Sequence, residues 1–343
     1  MGLSVADILA ARGRIRNDIR RSFAAPSPTL SQGRRAPVWL VHEHQQITGA
    51  FKLRGATNAV ARLGPATAGV TTASTGNHGR ALAHAALARG LPAVICLSNL
   101  VPDNKRAAVR ALGAEVRLVG HSQDDAQAEA ERLAAEEGLA LIPPFDHPDV
   151  IAGQGTLGLE MDEDVPDAEA VLIPLSGGGL FAGVATAMKA LNPKLRCIGV
   201  SMARGPAMAA SLRAGRPIAT TEAPSLADSL GGGIGLHNRH SFAAVRALID
   251  EVILLSESEI AAGIRHLYAE ERQIVEGGGA VGVAAILSGR VPARGPVVVP
   301  LTGANIDMGL HARIVAGQDG PDNDDAPTRG TEDSADPCPQ SAS

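Results

Sequence analysis

The chain has 343 residues, 45% hydrophobic and 20% charged, the balance of an ordinary soluble enzyme with material for one large domain or two lobes. Aromatic side chains make up only 2%, too few for a single-strand nucleic-acid platform, and a net charge of −5 argues against a phosphate-backbone binder. The charge is uneven: from Gly317 onward seven acids stand against one base, a balance of −6, which leaves +1 for the rest.

In chain order, Ser4 is a good N-cap for a helix that places Val5, Ile8, Leu9 and Ile15 on one face. The N-terminal stretch lacks a continuous apolar core, so it is not a secretory signal. Strands are expected over 38–41, 69–72, 93–97, 115–119, 170–174, 196–200, 251–255 and 297–301. Between them lie Ala-rich amphipathic helices, among them 80–89, 103–112, 124–137, 180–191 and 257–270. This alternation predicts an α/β fold of parallel sheets covered on both faces; on the pattern alone, one barrel and two open sheets fit equally. No stretch approaches the ~18 apolar residues of a membrane span. Residues 318–343 hold no aliphatic or aromatic side chain larger than Ala and are read as a disordered acidic tail. The three cysteines, Cys96, Cys197 and Cys338, make no disulfide framework, and the first two read as inert core thiols of a cytoplasmic protein.

Three stretches at strand-to-helix junctions gather Gly, small polar residues and one Lys, where open parallel sheets bind ligands. The first is 43–55, with Lys52 early in a helix between Phe51 and Arg54. A lysine in an apolar, cationic setting can have a lowered pKa and form a Schiff base. Composition alone allows Lys52 and Arg54 to be solvated helix residues. The second, 73–79 (Ala-Ser-Thr-Gly-Asn-His-Gly), would aim backbone amides at a carboxylate or phosphate, or be a plain turn capped by Ser74, Thr75 or Asn77. The third, 175–183, has three successive glycines that allow close backbone approach to a phosphate. It matches neither the dinucleotide fingerprint nor a P-loop. Weaker features are Thr302, a neutral hydroxyl after the last strand, and the glycine-rich loop 225–235. The ten histidines show no zinc spacing; His42 and His44 alternate on a strand-like segment, and no metal site is expected there.

Taken together and in order, these stretches resemble the fold-type-II pyridoxal-phosphate (PLP) enzymes, in the branch of serine/threonine dehydratases and serine racemase. The resemblance runs from about Ile8 to Val315. Within that branch, 51–60, 74–80, 151–160 and 225–238 are most similar to the dehydratase of hydroxyectoine-utilisation operons. The resemblance implies two open parallel-sheet lobes with flanking helices: a large PLP-binding domain of 1–73 plus 149–317 and a small domain of 74–148, closing over the substrate. It implies a homodimer, a small amino-acid-like substrate, and neither nucleic acid nor membrane as partner. It further implies that Lys52 forms the Schiff base with the cofactor aldehyde and removes the α-proton. Phe51 would pack on the ring, Asn77 would bond the phenolic oxygen, and Thr302 would face the pyridine nitrogen. Ser176, Gly177, Gly178, Gly179 and Leu180 would cradle the phosphate. Ser74, Thr75, Gly76, His78 and Gln154 would bind substrate, with Thr75 also catalytic. A hydroxyl partner for the pyridine nitrogen limits delocalisation and favours β-elimination.

Departures from the family pattern narrow the expectation. Ala50 replaces the usual Ser before Phe-Lys, and Thr75 replaces the serine that reprotonates the opposite face of the α-carbon, which weakens an amino-acid racemase. The divalent-metal motif is lost at Ser201, Met202 and Ala207, so no metal is expected. Ala227-Asp228-Ser229 replaces Ala-Asp-Gly on the substrate side. The leading expectation is a lyase acting on a hydroxyectoine-derived compound or hydroxy amino acid, with threonine, serine or 3-hydroxyaspartate dehydratase as the alternative. A non-catalytic binding protein is disfavoured by Lys52, Asn77 and the glycine loop together.

Overall fold

In a computed structural model, described for residues 3–318 except 75, 102 and 292 and the side chains of 104 and 105, the alternating pattern resolves into two sheets. Thr75 and, apart from Gln318, the acidic tail therefore lie outside the described residues. The chain runs α1 (Val5–Ile15), β1 (Ala24–Ser27), α2 (Pro28–Ser31), β2 (Val38–Val41), α3 (Lys52–Ala61), β3 (Val70–Ala73), α4 (Asn77–Ala88), β4 (Ala93–Leu97), α5 (Asp103–Arg110), β5 (Glu115–Leu118), α6 (Gln123–Glu137), β6 (Ala140–Leu141), α7 (Pro148–Asp164), β7 (Ala170–Pro174), α8 (Gly179–Leu191), β8 (Arg196–Met202), α9 (Ala207–Ala214), α10 (Ser241–Leu248), β9 (Glu251–Leu255), α11 (Glu257–Ala269), α12 (Gly277–Leu287), β10 (Val297–Pro300) and α13 (Met308–Val315).

Local signals set several boundaries. Ser4 caps α1 with a reciprocal box to Asp7, and Ser122 and Ser256 start α6 and α11 in the same way. Pro148 opens α7, where its missing N–H would have had no helical partner.

The six-stranded sheet has the order β1-β2-β10-β7-β8-β9 and the four-stranded sheet the order β5-β4-β3-β6. Every pairing is parallel except that β1 runs antiparallel to β2, so the first sheet carries one antiparallel edge that the alternating pattern did not foresee. Two open sheets, not one barrel, is thus the architecture. β3 opens the four-stranded sheet just ahead of Ser74.

β7 and β10 are buried along their whole length, as parallel strands covered on both faces must be. Leu172, Val297 and Val299 face one core with Ile260, Ile264 and Val281. Val171, Ile173 and Val298 face the other with Leu157, Phe181 and Val184. Burying each such side chain contributes ~1.5–3 kcal/mol, which keeps these central strands fixed. Cys96 and Cys197 are buried free thiols; burial pushes the Cys96 thiol up and the Cys197 thiol up to about 12, which makes both unreactive.

Candidate active site

The three singled-out stretches and the weaker Thr302 all follow parallel strands: 43–55 follows β2, Ser74 follows β3, Ser176 follows β7 and Thr302 follows β10. β7 and β10 are neighbours in one sheet, so the last two loops lie side by side. Ala50 bridges Gly303, and the Phe51 N–H donates to the Thr302 carbonyl at 3.0 Å. This seats Phe51, the N-cap of α3, and Lys52, its first residue, against the end of β10.

Lys52 is half-buried, and its Nζ donates to the Pro144 carbonyl at 2.7 Å. The amine lies 5.2 Å from the centroid of the Phe51 ring. Burial lowers its pKa from 10.5 to about 8, while the carboxylate of Glu276 pulls the other way. The amine is therefore much nearer its neutral, nucleophilic form at neutral pH than a surface lysine. Arg54 is not solvated either: it is fully buried between Glu43 and Glu160.

The glycine loop is shaped from several sides. Gly178 has φ +87°, a left-handed conformation that side chains disfavour. At Gly177 a Cβ would come within 2.3 Å of the Phe145 ring, so the loop's glycines answer to packing as well as to any ligand. Leu180 is buried and Ser176 half-buried. No side chain caps α8, which leaves the first-turn amides without a side-chain acceptor. Residues 144–146 tie this loop to its surroundings. Pro144 meets Lys52 and Phe145 meets Gly177. The Asp146 carboxylate accepts from the amides of Arg239 at 2.8 Å, His240 at 2.7 Å and Ser241 at 2.9 Å. Ser241 in turn donates its hydroxyl to the Gly177 carbonyl at 2.6 Å.

Asn77 is the first residue of α4. Its Nδ2 donates to Glu276 Oε1 at 2.7 Å, and its Oδ1 accepts from Asn305 Nδ2 at 2.7 Å. Gly76 is the N-cap of α4 and no side chain caps it, so neither Ser74 nor Asn77 serves as a turn cap here. Ser74 is half-buried and Gly76 exposed. His78 is buried; its Nε2 donates to the Ile142 carbonyl at 2.8 Å, and Nδ1 has no partner. Burial, with the Lys52 charge nearby, drives the His78 pKa down to about 3, so the ring is neutral. Gln154 is 1% exposed and neither atom of its amide has a hydrogen-bond partner. It lies against Gly55, one turn beyond Lys52 in α3. Thr302 is buried.

His42 and His44 do come together, with ring centroids 5.6 Å apart, but not on a strand. His44 sits in a 3-10 turn, Glu43–Gln45, and His42 precedes it, stacked on Phe23 at 4.5 Å. Among the described residues no group of three metal-ligating side chains gathers. Residues that sequence reasoning passed over are Glu276, Asn305, and 144–146. The usable signal for Glu276 was a lone acid before the run Gly277-Gly-Gly279 at a helix start.

The sequence profile described as "Pyridoxal-phosphate dependent enzyme" matches residues 15–303. The chain belongs to that family. A protein of Sinorhizobium fredii named "Putative threonine dehydratase" is 59% identical over 318 residues, covering 92% of this chain and 96% of its own. The L-threonine ammonia-lyase of Thermotoga maritima is 39% identical over 316 residues, covering 91% of this chain and 78% of its own. The structure of maize serine racemase superposes with a TM-score of 0.86 at 31% identity, covering 92% of this chain and 98% of its own. The fold is that of the fold-type-II PLP enzymes, and the cofactor of this family is PLP. No described helix is long and apolar enough to cross a membrane.

Proposed function

We propose that this enzyme is a PLP-dependent dehydratase and ammonia-lyase, removing water by β-elimination from L-threonine or L-serine and releasing a keto acid and ammonia. The observation that carries the reading is the half-buried Lys52 amine, drawn down to about 8, beside the Phe51 ring and bonded to Pro144, whose neighbour Phe145 packs on the glycine loop. The relatives point to threonine rather than to a hydroxyectoine-derived compound. The narrower hydroxyectoine substrate and 3-hydroxyaspartate stay in the substrate screen, because loop 225–235 departs from the family pattern.

The residues present fit the cofactor. The uncapped amides of Gly179 and Leu180, with Ser176, Gly177 and Gly178, would hold its phosphate. Asn77 keeps one N–H for an oxygen acceptor beyond the one spent on Glu276. Thr302 would offer a hydroxyl to the ring nitrogen, and Phe51 would pack on the ring. When bound, PLP supplies the electron sink. Lys52 Nζ, whose pKa of about 8 leaves a neutral fraction near neutral pH, would take up the α-proton of the substrate. The 74–78 loop and Gln154 would orient the substrate carboxylate, with the Gln154 amide still having all its hydrogen-bonding capacity to give. Neutral His78 would contribute shape and an acceptor at Nδ1 rather than a positive charge. The body built on the four-stranded sheet would act as the smaller lobe, closing over the larger one that continues to Gly317. A homodimer in the cytoplasm, where buried free thiols persist, completes the proposal.

The test is a screen of purified protein with PLP against threonine, serine, 3-hydroxyaspartate and a hydroxyectoine-derived compound, read as keto acid and ammonia. No product from threonine or serine would sink the leading substrates. A racemase is the second reading, favoured by the superposition on maize serine racemase. Recovered substrate that keeps its chirality and its α-proton in heavy water would eliminate it.

A further inference from the structure

Four side chains form a directed chain of hydrogen bonds from a cation to an acid. Arg80 donates to Asn305 Oδ1 at 2.8 Å, Asn305 Nδ2 to Asn77 Oδ1 at 2.7 Å, and Asn77 Nδ2 to Glu276 Oε1 at 2.7 Å. Asn305 Nδ2 also donates to the Thr48 carbonyl at 2.9 Å. Arg has donors only, so the sense of every bond follows from its first member. Both amide orientations are thereby fixed, and Asn77 is left with one free N–H. The chain also crosses between the two sheets: Asn77 and Arg80 belong to α4 beside the four-stranded sheet, whereas Asn305 follows β10 and Glu276 caps α12.

Glu276 is 6% exposed, yet among the described residues no cation is hydrogen-bonded to it. The Asn77 amide donates to its carboxyl at 2.7 Å, and the Ser229 hydroxyl and the Asn305 backbone also favour its charged form. The charged groups around it are Asp228 on the 3-10 turn Asp228–Leu230, Lys52 on α3, and Arg80 through Asn305. Burial and Asp228 raise its pKa to about 7. An acid kept there, off the surface and without an ion pair, has no role in the chemistry assigned so far. Buried unpaired acids are costly and cluster where function requires them.

We propose that Glu276 is a positioning residue that, with Asn305, holds the Asn77 amide across the two sheets in the one orientation that offers its free N–H to the cofactor. This rests on the reading of Asn77 as the residue that meets the cofactor's ring oxygen. A glutamine keeps one accepting oxygen and puts an NH2 in place of the other, so Asn77, the Ser229 hydroxyl and the Asn305 backbone no longer face two accepting oxygens. Loss of an oriented hydrogen bond of this kind weakens binding by roughly ten-fold.

The test uses the full-length protein, freed of cofactor and titrated with PLP, for the wild type, E276Q, N77A and E276Q/N77A. The readouts are the PLP dissociation constant and the pH profile of the visible absorbance. The expected result is about a ten-fold weaker constant and a displaced pH profile in E276Q. In the N77A background the same change should have less than a roughly two-fold effect, because two groups acting through one bond are not additive. Wild-type affinity and profile in E276Q would overturn the proposal, as would an undiminished effect in the N77A background. Should E276Q fail to fold, N305A and N305A/N77A are read by the same criteria, since Asn305 braces the other end of the same amide. Visible absorbance that survives K52A sinks the cofactor reading instead, and the inference with it.

Discussion

Lys52 and Arg54 lie on one turn of α3, and both are withdrawn from water, but the protein treats them in opposite ways. Arg54 is saturated. Its Nε and one terminal nitrogen reach Glu43 at 2.8 and 2.9 Å, and its two terminal nitrogens reach Glu160 at 2.9 and 2.6 Å. Thr156 accepts a further bond at 3.0 Å. The paired carboxylates more than offset burial, and the guanidinium pKa is raised. Lys52 has a carbonyl in place of a carboxylate, and its pKa falls to about 8. Burial by itself therefore marks neither residue as functional. What separates them is whether the charge is answered. A saturated cation is held fast and inert, while an unanswered one is ready to lose its proton.

The sharpest way to break this contrast is to remove each cation in turn. Lys52→Ala should lower keto-acid release by roughly 10²–10⁴-fold or more, the range for losing a positioned acid–base group, and abolish the visible absorbance. Its folding stability should move by less than about 1 kcal/mol, because a poorly paired amine contributes little. Arg54→Met should do the reverse, leaving Glu43 and Glu160 buried against each other at a cost of about 3–5 kcal/mol in urea unfolding. A destabilised Lys52→Ala with an unaffected Arg54→Met would show that the two roles are assigned the wrong way round.

A smaller effect is expected one loop away. Gly178→Ala forces a side chain into a left-handed conformation, at φ +87°, and should cost about 1–2 kcal/mol in stability. Because the α8 amides depend on that turn, PLP affinity should fall with it, measured on the cofactor-free protein. A variant with wild-type stability and affinity would mean the loop relaxes without consequence for the site.

Legibility in the sequence followed the same division between local and distant causes. The apolar runs at β4, β7 and β9 and the Ser4 cap of α1 are local, and those boundaries were readable to the residue. β1 was not: Ala24-Ala-Pro-Ser27 has no strand pattern, and it is a strand because β2 pairs with it antiparallel. β6 has only two residues and exists through β3. The loops 73–79 and 175–183 were legible because several glycines and small polar residues run together at one strand end. Their assembly was not, since Asn77 meets Glu276 across 199 residues of sequence. Arg54 looked like a surface residue for the same reason: Glu43 and Glu160 come from other elements. Short-range chemistry is written in neighbouring residues, and the pairing that decides which buried charge is answered is not.

His78 extends the comparison to a third buried base, whose effect shows only at acid pH. Its folded pKa, about 3, lies below the unfolded 6.5, so between those values the unfolded chain takes up a proton that the folded chain refuses. Stability contributed by the neutral ring is therefore complete above pH 6.5 and declines as the pH falls through the window toward 3. His78→Gln, which cannot titrate, should flatten that part of the stability-against-pH curve, followed by urea unfolding at a series of pH values. The first cause of the depression is burial and the second is the charge on Lys52. The slope in Lys52→Ala should accordingly be slightly shallower than in the wild type but steeper than in His78→Gln. A Lys52→Ala slope equal to that of His78→Gln would mean that the lysine, not burial, keeps the imidazole neutral, and that the two bases titrate as one unit.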